Sequence, residues 1–408
     1  MDERAKRFLL IIGFLLSAVV IAYLLYAAFF RVAPRAPAPA PEAPAPEIPR
    51  AGLVPAAPGT PSSGAAAEAE DGLRAADQVA RGGVTSTVEL TTAPVEQTAL
   101  AGDGTRVHFY DRGDGKFYRL QQDGSVETLS DQAFPGLKKA TWNRDAARAV
   151  LEFPDGSNIV YDFDNETQVT LPKHWEDFDF SPVTDELVAK SMGLDPDNRW
   201  IVISNDTGSN VKPIQALGEN EAKVHINWSP NNQVVAFSDT ADALGSFERK
   251  NIIPLGKEQE NFKALTVEGL GFSSSWSPDG KKLLYSVSGS YSNYRPLLWI
   301  VDATSATMGQ NRRSLPLNTW VEKCAFATAS KAYCAVPQGL PPNAGLQPPL
   351  FADLPDALYE VNIATGAVNL IALPETNKTM SNLFVTSDQS ALYFTNTQTG
   401  NLEMIKLQ

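Results

Sequence analysis

Trp276-Ser277-Pro278-Asp279-Gly280 runs directly into the apolar stretch Leu283-Leu284-Tyr285-Ser286, and this pairing of a tight turn with a strand decides the fold. Proline presets φ for the second turn position, Asp suits the next, and Gly accepts the left-handed conformation that closes a three-residue hairpin with a bulge. Trp228-Ser229-Pro230-Asn231-Asn232 is a second clear copy. Phe180-Ser181-Pro182-Val183-Thr184 and Trp142-Asn143-Arg144-Asp145 are weaker ones. Leu100-Ala101-Gly102-Asp103-Gly104, Phe326-Ala327-Thr328-Ala329-Ser330 and Val385-Thr386-Ser387-Asp388-Gln389 complete a series of seven, spaced about 38 to 59 residues apart.

Each copy leads into a β-rich run, such as Val107–Tyr110, Ala149–Phe153, Val234–Phe237 or Leu392–Thr395. A second strand pair follows, as in Phe117–Gln121 then Val126–Leu129, so each unit reads as a four-stranded antiparallel meander. Repetition of such units is the pattern of propeller blades. A β-sandwich also alternates its strands, but seven similar hairpins in series are hard to place in two layers. The expected fold class is therefore all-β: a seven-bladed β-propeller over residues 84–408, with six or eight blades as the neighbouring counts. The last unit, Ser381 to Gln408, supplies only three strands, Leu383–Thr386, Leu392–Thr395 and Leu402–Leu407. The β-prone stretch Thr85-Ser86-Thr87-Val88-Glu89-Leu90-Thr91 is expected to be its outer strand, so that both ends of the head share one sheet and an otherwise unpaired edge is covered.

The Trp-Ser-Pro-Asp-Gly turn leading into an apolar strand resembles the repeat of TolB-like propellers, the WD-like repeats found in bacterial envelope proteins. The likeness covers roughly residues 84–408 and is clearest at Trp228–Asn232 and Trp276–Gly280. It implies a propeller and, more loosely, an extracytoplasmic protein-binding role. The chain departs from TolB itself in its seven units rather than six, in having no separate α/β domain before the propeller, and in its uncleaved anchor. Fold does not fix function.

That anchor is the run Phe8 to Phe30, uncharged throughout and preceded by Arg4, Lys6 and Arg7. At 1.5 Å per residue, a helix of this length spans roughly 35 Å, enough for a hydrocarbon core of about 30 Å. A cleaved signal has a shorter apolar region, of about 7–15 residues. Small residues in Ala22 to Ala33 leave peptidase cleavage as the alternative. The basic flank keeps residues 1–7 cytoplasmic, and 8–30 is expected to be a single transmembrane helix with the head outside the cytoplasm. Residues 31–83 hold prolines at 34, 37, 39, 41, 44, 46, 49, 55, 58 and 61, interleaved with Ala and Glu. Such a segment favours extended polyproline II and acts as a spacer; Ala65 to Ala80 is the one part read as a short helix.

A formal charge of −13 excludes a nucleic-acid partner, because backbone phosphates need a basic surface. Three histidines, His108, His174 and His225, lie far apart in sequence. No nucleophile elbow, phosphate loop or dinucleotide fingerprint is present. No catalytic set, metal site or cofactor is expected. The acidic turns Asp111–Asp114 and Asp162–Glu166 fall short of a calcium loop and read as hairpin turns.

In a four-stranded meander the first and third turns leave on one face, and the second turn and the blade-to-blade loops on the other. The second loops are long in four units, Lys190–Arg199, Asp239–Asn251, Gly289–Pro296 and Pro337–Asp356. Insertions gathered on one face mark it as a recognition surface. Its candidate contact residues are Asp195, Asp197, Arg249, Tyr291, Tyr294, Arg295, Phe351, Asp353 and Asp356. The expected partner is a protein or cell-wall component of the envelope, reached by a non-enzymatic scaffold; the alternative is an anchored glycan hydrolase or lyase with its site at the channel mouth. Cys324 and Cys334 flank the sixth hairpin and come opposite each other when it pairs around Thr328-Ala329-Ser330, within reach of a disulfide. Two small buried thiols are the other reading.

Deleting residues 1–30 is expected to move the protein from the sedimenting membrane fraction to the supernatant of lysed cells. Continued sedimentation with membranes, resistant to salt, would place the anchor elsewhere.

Overall fold

The computed structural model describes residues 76–408 and, ahead of them, Leu16, Ser17, Val19, Val20, Ile21 and Tyr23. Those upstream residues are helical, and among the described residues no helix is long and apolar enough to cross a membrane. The membrane span expected over 8–30 lies mostly outside the described residues, as does the proline-rich segment up to residue 75. The described end of the stretch read as a short helix, Ala76–Ala80, is not helical: Asp77 forms a β-bridge with Thr85. The chain divides into two units, residues 1–71 and 72–408.

The second unit is a seven-bladed β-propeller whose blades are successive antiparallel sheets. Their first, innermost strands are Val95–Leu100, Lys139–Trp142, Trp175–Phe180, Val224–Ile226, Leu270–Trp276, Cys324–Thr328 and Met380–Val385. The second strands carry the apolar load. Lys282–Ser288 in blade five is buried along nearly its whole length, as are Val234–Ser238 in blade four and Ala391–Asn396 in blade seven. The reason is geometric: successive side chains point to opposite faces of a sheet, and each blade has a neighbour on both sides. Leu283, Tyr285 and Val287 pack into blade four, while Leu284 between them packs into blade six. In the same way Ala332 and Cys334 face blade five, and Tyr333 and Ala335 face blade seven. Seven such cores run between successive blades, and the last joins Val95, Val107 and Phe109 of blade one to Tyr393 and Leu402 of blade seven. The ring is closed.

Closure uses the N-terminal strand. Val88 and Glu89 pair antiparallel with Met404 and Glu403, adding the fourth strand to blade seven, and Leu90 donates its N–H to the Leu402 carbonyl at 2.9 Å while packing into the core between blades seven and one. Just before it, Gly83–Thr85 lies parallel against Ala372–Pro374 as a fifth strand on blade six. The incoming chain thus holds the outer edges of two adjacent blades.

The repeated turn has a second task besides reversing the chain. In blade five Ser277 Oγ accepts from the Lys282 N–H at 2.9 Å and donates to Asp279 Oδ1 at 2.7 Å, while Gly280 takes φ +66°. A Cβ on Gly280 would lie 2.8 Å from the Asn231 nitrogen of blade four's turn, so only glycine allows the two turns to meet. The left-handed residue recurs as Gly104, Ala146, Asn232 and Gln389 in blades one, two, four and seven. Neighbouring turns bond to one another: Ser387 N to Gly104 O, Gly102 N to Asp145 O, both at 2.9 Å, and Ser181 Oγ to Asn232 Oδ1 at 3.2 Å. On this face the sequence motif forms a chain of inter-blade contacts.

In blade six Cys324 and Cys334 are opposed in register, with Cα atoms 4.0 Å apart, and joined by a disulfide. Cys334 is fully buried in the core between blades five and six.

The closing strand yields a test. Leu90→Asp in the full-length protein puts a carboxylate into the core between blades seven and one and is expected to cost about 2–4 kcal/mol in urea unfolding. Val88→Asp, two residues earlier at an exposed position, is expected to cost under about 1 kcal/mol. Equal, small losses from both would mean that this strand does not close the wheel.

Candidate functional site

The face opposite the repeated turns carries the second loops of blades three to six. Blade three's second strand runs on to Met192, so its loop is only Gly193–Asn198. The loops of blades four, five and six span 239–248, 289–295 and 338–355. The last three are bonded into one crown. Glu248 of blade four accepts from the Ser290 N–H at 3.1 Å, from Ser290 Oγ at 2.9 Å and from the Tyr294 hydroxyl of blade five. Blade six's loop hangs on blade five: Asn343 N–H donates to Asn293 O and Gly345 N–H to Tyr294 O, both at 2.8 Å. Asn293 and Tyr294 hold left-handed φ values of 51° and 54° to present those carbonyls. Gly345 is required by close approach, since a Cβ there would lie 1.8 Å from Ser288 Oγ. At its far end the loop meets blade seven, where Gln398 Nε2 donates to Asp353 O at 3.3 Å.

Against this frame the sequence candidates separate. Asp195 and Asp197 are exposed, and Asp195 caps a short 3₁₀ turn by accepting from the Asp197 N–H. Arg249 is exposed and 3.9 Å from Glu268. Tyr291 is exposed, its hydroxyl held by Glu268 O at 2.6 Å. Tyr294 and Arg295 serve the crown itself, Arg295 Nε donating to Leu340 O at 2.7 Å. Phe351 is half-buried and Asp353 exposed on the blade-six loop. Asp356 stands apart. It is 1% exposed, accepts from Lys323 Nζ and from the Met380 N–H, each at 2.7 Å, and belongs to the interior. Sequence reasoning missed Glu248, Asn343 and Gly345, whose roles arise from contacts between blades.

Beneath the crown, three adjoining cavities line the axis. One, of about 410 Å³, is mostly apolar, walled by Trp320, Pro348, Pro349, Ala352 and Met380 with Glu322 and Lys323 at its edge. A second, of about 400 Å³, shares Ser273 and Glu322 with it and adds Asp177, His225 and Asn227. The third, of about 490 Å³ at blades seven, one and two, shares Thr397 with the first and is lined by Glu96, Gln97, Thr98, Asn382, Thr395 and Asn396. In the second cavity Asp177 pairs with Lys190 at 2.8 Å. Burial, with the Lys190 cation next, holds the His225 imidazole below its usual range, so it is neutral at pH 7. Glu322 makes no ion pair among the described residues. Nearby, Asp179 is half-buried between blades three and four, where desolvation of its carboxyl pushes it up to about 6 against the N–H bonds it accepts from Trp228 and Phe180. Among the described residues no group of three or more His, Cys, Asp or Glu side chains is placed to hold a metal ion.

Comparison with known proteins places the wheel among propellers. The β-propeller domain of Cps50 (Swd1) from Myceliophteria thermophila superposes with a TM-score of 0.53 at 12% identity, over 79% of this chain and 100% of that one. An oligogalacturonate lyase in complex with manganese matches with a TM-score of 0.55 at 14% identity, over 78% and 92%. An oligogalacturonate lyase from Vibrio parahaemolyticus matches with a TM-score of 0.55 at 12% identity, over 81% and 99%. At these identities the likeness is one of fold. No family model matches the chain, and no curated protein matches it in sequence.

The Lys323–Asp356 pair gives a signed prediction. Burial raises the Asp356 carboxyl and Lys323 opposes that rise. Lys323→Met leaves the carboxylate buried without its cation and is expected to cost about 3–5 kcal/mol at pH 7. A carboxyl whose folded pKa exceeds its unfolded value binds its proton first in the folded state, so stability rises as pH falls through the folded pKa. The single variant should therefore recover on acidification, and Lys323→Met with Asp356→Asn should lose that recovery. Thermal melts from pH 7 to pH 4 with parallel curves for single and double variants would contradict the pairing.

Proposed function

We propose that this chain is a membrane-anchored, extracytoplasmic β-propeller that serves as a non-enzymatic protein-binding scaffold of the cell envelope, using the crowned face. One observation supports this reading most. Leu194, Leu244, Phe247, Tyr291, Leu346 and Leu350 are all exposed on the second loops of blades three to six, with Phe247 at 66% and Leu350 at 71%. The exposed valines elsewhere on the wheel are scattered over outer strands and turns, which is ordinary for a soluble surface. All of these but Leu194 lie on the loops bonded to one another, a surface already shaped for a partner, so less ordering entropy opposes association. A protein occupant fits this surface better than a cell-wall polymer, because Phe247 and Leu350 are large aromatic and aliphatic anchors of the kind that protein interfaces bury.

The reading is tested by capture from a solubilised envelope fraction with the full-length protein as bait. Phe247→Ser with Leu350→Ser changes exposed positions and should leave the melting temperature unaltered while reducing capture of the same partner about tenfold or more. Undiminished capture by the double variant would remove the crown from the interface. No capture by either protein, together with release of new reducing ends from a glycan panel, would replace the scaffold with the enzyme reading, for which Asp177, His225 and Glu322 around one cavity are the available groups.

A further inference from the structure

The innermost strands of blades one, three, five and seven each carry an irregular register, between Glu96 and Ala99, Glu176 and Asp179, Leu270 and Ser273, and Ser381 and Phe384. Each contains one left-handed residue: Gln97, Asp177, Gly271 and Asn382. Blades two and four keep an unbroken register there, and blade six slips only near its turn, between Phe326 and Thr328. Bulged and unbulged strands thus alternate round the wheel, and seven is odd, so blades seven and one meet bulge to bulge. Elsewhere a bulged strand is bonded to an unbulged neighbour. Gln97 O accepts from Trp142 Nε1 at 2.9 Å and Gln97 Oε1 from the Ala140 N–H at 2.8 Å, while Asn227 Nδ2 donates to Ser274 O at 2.8 Å. Between Val95–Leu100 and Met380–Val385 no hydrogen bond is made among the described residues.

The mismatch opens the cavity of about 490 Å³ noted above, within the range of about 300–1,000 Å³ that suits small-molecule sites. It lies beside blades with short second loops and meets the crown at Thr397, which bonds Ala352 O and Asp353 Oδ1. Ala391 and Tyr393 fill the core toward blade one; two residues on, Thr395 lines the cavity, 7% exposed and with no hydrogen-bond partner for Oγ1. Thr98 Oγ1, on the opposing strand, is likewise buried and unpartnered. Asn382 presents a free side-chain amide. No Lys or Arg lines the cavity, its one carboxylate, Glu96, is turned to Arg112 at 3.3 Å, and no apolar side chain there is larger than Val95. Buried hydroxyls facing a cavity without cations or apolar anchors match a ligand that both donates and accepts hydrogen bonds and carries no charge.

We propose that the seam between blades seven and one is a binding site for a neutral oligosaccharide, held by Thr98, Asn382 and Thr395. The experiment is calorimetric titration of the full-length protein with cellotriose and tri-N-acetylchitotriose, and with trigalacturonate and an uncharged, acetylated and amidated Ala-Ser-Ala-Ser peptide as contrasts. One or both neutral trisaccharides should bind saturably, and trigalacturonate and the peptide should not. Thr395→Val and Thr98→Val should each weaken binding about fivefold to tenfold, the effect of losing one hydrogen bond in a buried site. Thr395→Val should also leave the melting temperature unchanged or raised, because it replaces an unpartnered hydroxyl with a methyl of the same shape, which separates loss of binding from loss of fold. Binding unchanged in both variants would move the sugar elsewhere. Absence of neutral-sugar binding, or preference for trigalacturonate or the peptide, would overturn the proposal. None of these outcomes bears on the crown.

Discussion

Two-sided burial of the second strand is the constraint on which this wheel depends. A strand in an ordinary sandwich hides one face and shows the other to water, whereas Lys282–Ser288 hides both, each against a different neighbour. Every blade therefore completes two cores, and none can keep its apolar surface covered if a neighbour is lost. This explains why the last blade cannot stop at three strands with a gap beside blade one. Tyr393 and Leu402 need Val95, Val107 and Phe109 as much as those residues need them.

Charge is handled by the same geometry. Where the first strands begin, near the axis, the interior turns polar, and Lys323 with Asp356 in blade six and Lys378 with Glu403 in blade seven sit in matching places. Both carboxylates are 1% exposed. A buried pair contributes little net stability compared with apolar packing, but breaking one is costly. These pairs therefore tie the lead-in to a blade's first strand to that blade's third strand more than they strengthen the wheel, and Asp356 alone also holds the next blade, through the Met380 N–H.

Much of this was legible in the sequence because it is local. The Ser-Pro-Asp-Gly turn states its own conformation, and the β-prone stretch at Val88 was conspicuous for having no partner nearby. The opposition of Cys324 and Cys334 follows from counting out from one hairpin. What stayed hidden depends on contacts between blades. Asp356 looked like one more acidic residue at a loop end, and only Lys323, far off in sequence, draws it inside. The crown was hidden because Glu248 and Gly345 act through loops of other blades. The bulges were hidden because Gln97, Asp177 and Asn382 take left-handed backbone without the glycine that announces it; only Gly271 carries that signal.

The double hold of the incoming chain has a mechanical consequence. Any tension arriving from the N-terminal side meets the wheel first at Asp77, whose N–H bonds the Val84 carbonyl, and at Ala80, bonded to Lys406 O, both at 2.8 Å. From Ala80, which is on blade seven's third strand, it passes to Gly83–Thr85, laid along blade six, and then to Val88 and Glu89, again on blade seven. A pull must break the Ala80 bond to blade seven and strip the strap on blade six before it reaches Val88, so the clasp of the ring is the last of three holds to take load borne by the chain ahead of it.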